Sequence, residues 1–336
     1  MTKKVGKQSL KFDTPPVVLS TGTTVGPFEA SGPLGDYFDT KHADLLAGMA
    51  SFEKAERQML LDACYKALQK INTPPDQVDC FISGDLLNQI ISSGFAALQL
   101  KIPFLGIYGA CSNSVEGLLI GAMMIEGGFA DLVMTATSSH NSTAERQFRY
   151  PTEYGVQRKP FSQWTVTGAG AAVIGKNGAG PMITYATIGK IVDMGSNDAL
   201  NLGAAMAPAA AATIAAHFQD TGRSVDYYDL IVTGDLGKIG HQLAVEWAQK
   251  NDNLDLTNNY QDCGMMIYDL EDPRVGAGGS GCGCSASVAF GYIYQQLQQK
   301  NFRKVLLVAT GAMHSPISCQ QGENIPCIAQ AVSLEI

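Results

Sequence analysis

The chain contains an internal repeat, and this repeat constrains the fold more than any other feature of its 336 residues. A shift of 150 places residues 63–86 on residues 213–236 without a gap, so that both copies end in Gly-Asp-Leu. A shift of 173 places Cys111-Ser-Asn-Ser-Val115 on Cys284-Ser-Ala-Ser-Val288. Because the matches keep their order and spacing, the sequence predicts two copies of one structural unit.

Each copy alternates helical and strand patterns. Residues 52–71 have the apolar spacing of an amphipathic helix, and a short apolar run at residues 78–83 follows as a strand. Such alternation predicts a layered α/β architecture. We expect two pseudo-symmetric halves, residues 1–179 and residues 180–336. A pseudo-twofold axis between them would bring the two Cys-Ser-x-Ser-Val helix starts to a common cleft.

The composition excludes several classes of protein. With 46% hydrophobic and 16% charged residues, the chain can bury a large core. A net charge of -8 and the lack of a long basic run argue against a nucleic-acid partner. The first residues do not resemble a signal peptide, and the longest apolar segment, residues 202–216, is too short to span a bilayer. We therefore expect a soluble protein.

The eight cysteines and five histidines do not form a metal-binding pattern. There is no Cys-x-x-Cys pair, and Cys282-Gly-Cys284 has no second pair at zinc spacing. We expect reduced thiols, no structural metal and no cofactor.

Residues 109–128 predict a cysteine at the start of a long apolar helix. The apolar run Pro103–Tyr108 precedes it as a strand, and Ser112 and Ser114 are candidate helix caps. Backbone N–H groups and the helix dipole at this point would acidify the Cys111 thiol or hold an anion. Alternatively, Cys111 is a small buried residue where a strand packs on a helix.

The repeat together with this cysteine resembles the thiolase superfamily, which includes the β-ketoacyl synthases. A more specific resemblance is to the stage V sporulation protein AD family, in these motifs: Cys111-Ser-Asn-Ser114, residues 136–155, Gly84-Asp-Leu-Leu-Asn-Gln89, Ala205-Met-Ala-Pro-Ala-Ala210, residues 277–285 and Ile325-Pro-Cys-Ile-Ala329. The resemblance implies a thiolase-like, five-layered α-β-α-β-α fold and a spore-forming bacterium. It also implies that the protein binds dipicolinic acid for uptake into the developing spore.

The same resemblance implies partners and a location. We expect a homodimer paired through an edge strand of the first half. We also expect a protein of the sporulating cell's cytoplasm that joins other subunits at the inner membrane of the spore.

The histidine and the histidine or asparagine that accompany the cysteine in condensing enzymes of the superfamily are not found at the corresponding positions of the sequence. Their first histidine position corresponds here to Thr233-Gly234-Asp235, and their second histidine or asparagine position lies within Gly281-Cys-Gly-Cys284. An aspartate cannot replace an imidazole near neutral pH, since its reference pKa is about 2.5 units lower. The resemblance favours Cys282 at the second position and the internal repeat favours Cys284, so both remain candidates.

The candidate ligand-binding residues are Cys111, Asn113, Asp85, Asp235, Cys282, Cys284, Arg146 and Arg149. Asp85 and Asp235 end equivalent strands, where they would repel a dianion unless calcium lay between them, or else they cap the helices that follow. Arg146 and Arg149 would pair with a ligand carboxylate, or with Glu145 or Glu153.

The sequence leaves three candidate functions. The first is a non-catalytic protein that binds dipicolinic acid, free or as its calcium complex. The second is an acyl-transfer or condensing enzyme with Cys111 as nucleophile. The third is a structural subunit that docks membrane partners and has a vestigial cleft.

Overall fold

The computed structural model describes residues 3–148 and 159–336. Its strands are β1 Lys4–Val5, β2 Ser9–Lys11, β3 Val17–Val25, β4 Thr40–Lys41, β5 Cys80–Asp85, β6 Phe104–Gly106, β7 Leu132–Ser139, β8 Trp164–Thr165, β9 Gly168–Gly175, β10 Met182–Thr187, β11 Leu230–Thr233, β12 Tyr260–Asp262, β13 Gly279–Ser280, β14 Lys304–Ala312 and β15 Cys327–Glu335. Its helices are α1 Pro27–Ala30, α2 Phe52–Lys70, α3 Ile91–Leu100, α4 Asn113–Glu126, α5 Asn141–Phe148, α6 Leu202–Thr221, α7 Gly237–Asp252, α8 Cys263–Met266, α9 Cys282–Val288, α10 Tyr294–Gln298 and α11 Pro316–Gln320. A π-helical turn, Ala289–Ile293, joins α9 to α10.

Ten strands form two half-sheets of five with the same strand order. The first half-sheet runs β3-β9-β7-β5-β6 and the second runs β10-β15-β14-β11-β12. In each, the three outer strands are parallel and the remaining pairings are antiparallel. The half-sheets meet where β10 pairs with β3. The predicted boundary at residues 179–180 lies in the connection between β9 and β10.

Matching hydrogen bonds show that the two halves repeat in detail. The Asp79 carboxylate accepts the backbone N–H groups of Asp131 and Leu132, at 2.8 and 2.9 Å, where β7 begins. In the second half, the Asp229 carboxylate accepts the N–H groups of Arg303 and Lys304, at 2.7 and 3.0 Å, where β14 begins. Asp79 precedes β5 and anchors the neighbouring strand β7, and Asp229 precedes β11 and anchors the neighbouring strand β14. The duplication predicted from sequence is therefore present in the structure.

The helices complete five layers. Helices α2 and α3 cover the outer face of the first half-sheet, and α6 and α7 cover the second. Helices α4 and α9 lie between the half-sheets and contact strands of the first, while α4 also contacts β14 and β15. The five-layered fold predicted from the resemblance is thus confirmed. No helix in the two described ranges is long and apolar enough to cross a membrane.

Small side chains allow the central helix α4 to approach the first half-sheet closely. A Cβ atom on Gly117 would lie 1.8 Å from Oγ1 of Thr135 in β7. The hydroxyls of Ser114 in α4 and Ser285 in α9 are 2.7 Å apart and join the two central helices. The two predicted helix starts therefore do meet, and they meet at the centre of the molecule.

Candidate functional site

A tight turn before α4 presents Cys111. Residues Ala110–Ser112 form a single 3₁₀ turn, and Ala110 has a φ of +52°, a conformation that alanine rarely adopts. Such strain persists only where the surrounding structure enforces it, and it is concentrated at functional sites. Here Gly311 of β14 packs against the turn, since a Cβ atom on Gly311 would lie 2.1 Å from the Gly109 carbonyl oxygen.

The predicted serine caps of α4 are wrong. The Ser112 hydroxyl donates to the Gly109 carbonyl at 2.8 Å, and the Ser114 hydroxyl bonds to Ser285 across the central layer. Asn113 instead fixes the turn, because its Oδ1 accepts the Gly109 N–H at 2.7 Å. The Nδ2 of Asn113 is buried without a hydrogen-bond partner among the described residues. Asn113 therefore positions the loop that carries Cys111.

The Cys111 thiol lies against the Asp235 carboxyl group. Burial raises the pKa of Cys111 well above its ordinary value, and the neighbouring charge of Asp235 raises that pKa further. Asp235 accepts hydrogen bonds from the Thr310 hydroxyl at 2.8 Å and from the Gly281 N–H at 2.9 Å. Burial raises the pKa of the Asp235 carboxyl to about 6. The predicted acidification of Cys111 is therefore wrong.

The structure distinguishes between the two cysteines of the glycine-rich turn. Cys282 packs with Cys111, Ala110 and Leu86 in one small cluster, and its thiol donates to the Ser138 carbonyl at 2.9 Å. Cys284 lies two residues further along α9, in the main apolar core. Cys282 is thus the cysteine beside Cys111, and Cys284 is a core residue that the structure does not bring to the pocket.

Asp85 caps a helix instead of facing a ligand. Its carboxylate accepts the N–H groups of Leu87 at 3.0 Å and Ser93 at 2.7 Å and so fixes the start of α3. Asp85 and Asp235 are both completely buried and hydrogen-bonded. Each carboxylate is bound by donors of the protein, and calcium between the two stays a prediction. Among the described residues, no group of three or more potential metal ligands exists.

One of the two predicted arginines lies within the described residues. The Arg146 guanidinium pairs with Glu53 at 3.1 Å on the surface of the first half. Arg149 lies outside the described residues.

The Cys111 turn forms the floor of a small cavity that adjoins a wider groove. The cavity has a volume of about 40 Å³, enough for about one or two water molecules. The groove has a volume of about 320 Å³ and is lined by residues 87–90, 106–108 and 147–148 and by His314 and Ser315. Tyr108, Phe148 and His314 line both spaces. The cavity and the groove therefore share a wall of three rings.

Two comparisons of the sequence agree on its family. The family model of stage V sporulation protein AD matches residues 6–335. The stage V sporulation protein AD of Bacillus subtilis (strain 168) is 47% identical over 333 residues, which cover 99% of this chain and 98% of that protein. The chain belongs to the stage V sporulation protein AD family. Membership of this family gives it a role in sporulation, as the sequence resemblance predicted.

Solved structures with the same fold include a 3-oxoacyl-[acyl-carrier-protein] synthase and an acetyl-CoA acetyltransferase. The cerulenin-bound OleA of Xanthomonas campestris has a TM-score of 0.60 and 12% identity, and the match covers 99% of this chain and 100% of that one. The 3-oxoacyl-[acyl-carrier-protein] synthase III of Aquifex aeolicus VF5 has a TM-score of 0.57 and 14% identity, with coverages of 96% and 100%. At these identities the likeness shows the thiolase fold alone.

His314, the histidine that lines the Cys111 cavity, was not among the residues predicted from the sequence. His241, the nearest to the expected position, stacks on Tyr260 with ring centroids 4.5 Å apart and does not line the pocket. His314 does line it, and it follows β14 as His140 follows β7. The match between Ala136-Thr137 and Ala309-Thr310 at the ends of these strands could have led to it. His140 itself is buried and bonds to the Leu45 carbonyl at 2.8 Å.

Proposed function

We propose that the chain binds dipicolinic acid, a pyridine ring with two carboxyl groups, in the groove above Cys111 and does not transfer acyl groups. The observation that carries this proposal is the wall of three rings, Tyr108, Phe148 and His314, shared by the groove and the Cys111 cavity. A flat aromatic ligand gains stacking and edge contacts from such a wall. The family's role in sporulation supports this choice of ligand.

The sizes of the two spaces determine how the ligand lies. A cavity of about 40 Å³ cannot hold a six-membered ring, whereas a groove of about 320 Å³ falls at the lower end of small-molecule sites, which span about 300–1,000 Å³. The pyridine ring therefore occupies the groove and directs one edge toward Cys111. Amide and hydroxyl groups of Asn88, Gln89 and Ser315 line the groove and suit the carboxylates.

The charge of the ligand favours its calcium complex. The described residues that line the cavity and groove include neither lysine nor arginine. A dianion without a compensating cation is costly to remove from water. Calcium, which prefers oxygen ligands, neutralises the two carboxylates before the complex enters the groove. We therefore expect dipicolinate to bind more tightly when calcium is present.

The environment of Cys111 supports a non-catalytic role. A condensing enzyme needs a thiolate as nucleophile and a group that accepts its proton. At this site, burial and the Asp235 carboxyl both raise the pKa of Cys111. The thiol therefore stays protonated and acts as part of the pocket floor.

Acyl transfer is a second candidate because His314 and Cys111 line one pocket. An imidazole there is a possible general base. Incubation with acetyl-coenzyme A, followed by intact mass measurement, separates the two functions. We expect no adduct. An acetyl adduct that is lost in Cys111→Ala would establish the acyl-transfer function instead.

We also propose, from the family, that the protein works beside subunits of the inner spore membrane. Docking of the protein to these subunits is compatible with dipicolinate bound in the groove. A chain that docks these subunits but does not bind dipicolinate would have the vestigial cleft of the third hypothesis.

Truncating Phe148 tests the ligand site. Phe148→Ala removes one ring of the wall, and we expect the dissociation constant for dipicolinate in the presence of calcium to rise about tenfold, as loss of an aromatic contact of roughly 1.4 kcal/mol predicts. Titration calorimetry measures this change. Phe129→Ala is the matched control, because Phe129 is exposed and lines neither the cavity nor the groove.

The same titration can reject the site. Unchanged affinity in Phe148→Ala, with the native fold confirmed by circular dichroism, would move the ligand away from this groove. Equal weakening in both variants would show that the effect is not local. Absence of binding to the unmodified protein would refute the proposed function as a whole.

A further inference from the structure

One thiol of this chain differs from all the others. All eight cysteines lie within the described residues, and seven of them are buried. The eighth, Cys319, is half-buried, and its Sγ lies 3.4 Å from Nδ1 of His314. The molecule thus contains one accessible thiol, and an imidazole is its hydrogen-bond partner.

The local sequence holds the Cys319–His314 pair in place. The Ser315 hydroxyl accepts the Ser318 N–H at 3.1 Å, and the Ser318 hydroxyl accepts the Ser315 N–H at 2.9 Å. This capping box, with Pro316 at the first helical position, fixes the start of α11. The Cys319 N–H then bonds to the Ser315 carbonyl at 3.1 Å, which places the thiol one turn above His314.

The Cys319–His314 pair stands beside the ligand groove. His314 lines both the Cys111 cavity and the groove, and Ser315 lines the groove. A group attached to Cys319 would therefore contact the residues that form this side of the groove. The same attachment at one of the seven buried cysteines would require the core to open.

We propose that Cys319 is a modification site, at which His314 promotes exchange with a low-molecular-weight disulfide, and that the attached group restricts access to the groove. The Cys319 thiol gives its proton to Nδ1 of His314 as its sulfur attacks one sulfur of the disulfide. The new sulfur–sulfur bond forms at Cys319, the old one breaks, and the departing thiolate takes the proton from the imidazole. One disulfide and one thiol are consumed, and one mixed disulfide and one thiol are formed.

The reaction is measured with dithiobis(nitrobenzoate), an aromatic disulfide that releases a coloured thiol. We expect one rapid equivalent from the native chain, located on Cys319 by peptide mass mapping and absent in Cys319→Ser. General-base assistance is typically worth 10²–10⁴-fold, so we expect His314→Gln to react at least about tenfold more slowly than the native chain. His241→Gln is the control and should react like the native chain.

Two outcomes would overturn the proposal. Rapid labelling of another cysteine would show that Cys319 is not the accessible thiol. A native labelling rate in His314→Gln, or in His314→Asn if the first variant does not fold, would show that the imidazole has no part in the exchange. Neither measurement involves dipicolinate, so their failure is distinct from failure of the proposed ligand site.

Restricted access is tested separately by titration of the labelled protein. We expect the labelled chain to bind dipicolinate at least tenfold more weakly than the unlabelled chain, and reduction of the mixed disulfide to restore binding. Cys319→Ser exposed to the same reagent should keep its affinity. Full affinity in the labelled chain would refute restricted access.

Discussion

At pH 8 the chain is expected to have a free energy of unfolding several kcal/mol smaller than at pH 5. Burial raises the pKa of several interior carboxyl groups, among them Glu29 to about 7, Glu56 to about 8 and Asp235 to about 6. Between about pH 4.5 and pH 8 the folded chain therefore keeps protons that the unfolded chain has released. Stability falls with rising pH wherever the native state binds more protons.

A substitution at Glu29 separates the contribution of one buried carboxyl group to the pH dependence of stability. Its Oε1 accepts the Thr167 N–H at 2.9 Å and the Tyr268 hydroxyl, while Oε2 is buried without a hydrogen-bond partner among the described residues. Burial raises the pKa of Glu29 from 4.5 to about 7, which corresponds to about 3 kcal/mol between low and high pH. Glu29→Gln imitates the protonated form and should remove about that much of the pH dependence.

Urea unfolding at pH 5 and pH 8 measures the difference. Glu323→Gln, at an exposed loop position, is the matched control and should keep the native pH profile. Equal stability of the native chain at the two pH values would contradict the account of these buried carboxyls. An unchanged pH dependence in Glu29→Gln would show that other groups produce it.

Replacing Leu105 by glutamate is expected to convert a dimer into a monomer. Strand β6 ends the first half-sheet, and of the described strands only β5 pairs with it. Its residues are exposed, whereas Tyr260 and Asp262 of its second-half counterpart β12 are buried. An exposed edge strand with apolar side chains readily pairs with another chain.

We propose that β6 pairs with the β6 of a second copy across a twofold axis, as the resemblance to the superfamily predicted. A twofold interface brings the same surface of both copies together, and neighbouring α3 adds Ile91, Phe95 and Leu98, spaced on one helical face and exposed. Leu105 is 46% exposed in the single chain, and the interface would bury it. A glutamate there would place two like charges close to the axis.

Sedimentation at micromolar concentration tests this interface. The native chain should have twice the mass of its 35.7 kDa monomer, and Leu105→Glu should have the monomer mass. Phe129→Glu is the control, since Phe129 is 81% exposed but lies at the far end of α4. A monomeric native chain would contradict the proposed dimer, and a dimeric Leu105→Glu variant would place the interface elsewhere.

The fold was predictable because the internal repeat shows that the chain consists of two equal units. The match of residues 63–86 with 213–236 spans an outer helix and the strand behind it in each half. Once two equal units are recognised, the shared order of their strands follows. Helix boundaries were also predictable where apolar periodicity is strong, as in α2, which begins at Phe52 and ends at Lys70.

The site was less predictable because side-chain direction depends on packing. Asp85 and Asp235 occupy equivalent positions in the sequence, yet one caps α3 and the other contacts Cys111. Cys282 and Cys284 are two residues apart on one helix and therefore point to different neighbours. His314 was missed since it lies in the loop after β14, a position that neither motif match included.

A crystal structure with dipicolinate and calcium would show directly whether the groove holds the ligand. We expect one ligand per chain, with its ring in the groove between Tyr108, Phe148 and His314 and one edge toward Cys111. Ligand density in another part of the molecule, or an empty groove at a concentration that saturates binding in solution, would contradict this expectation.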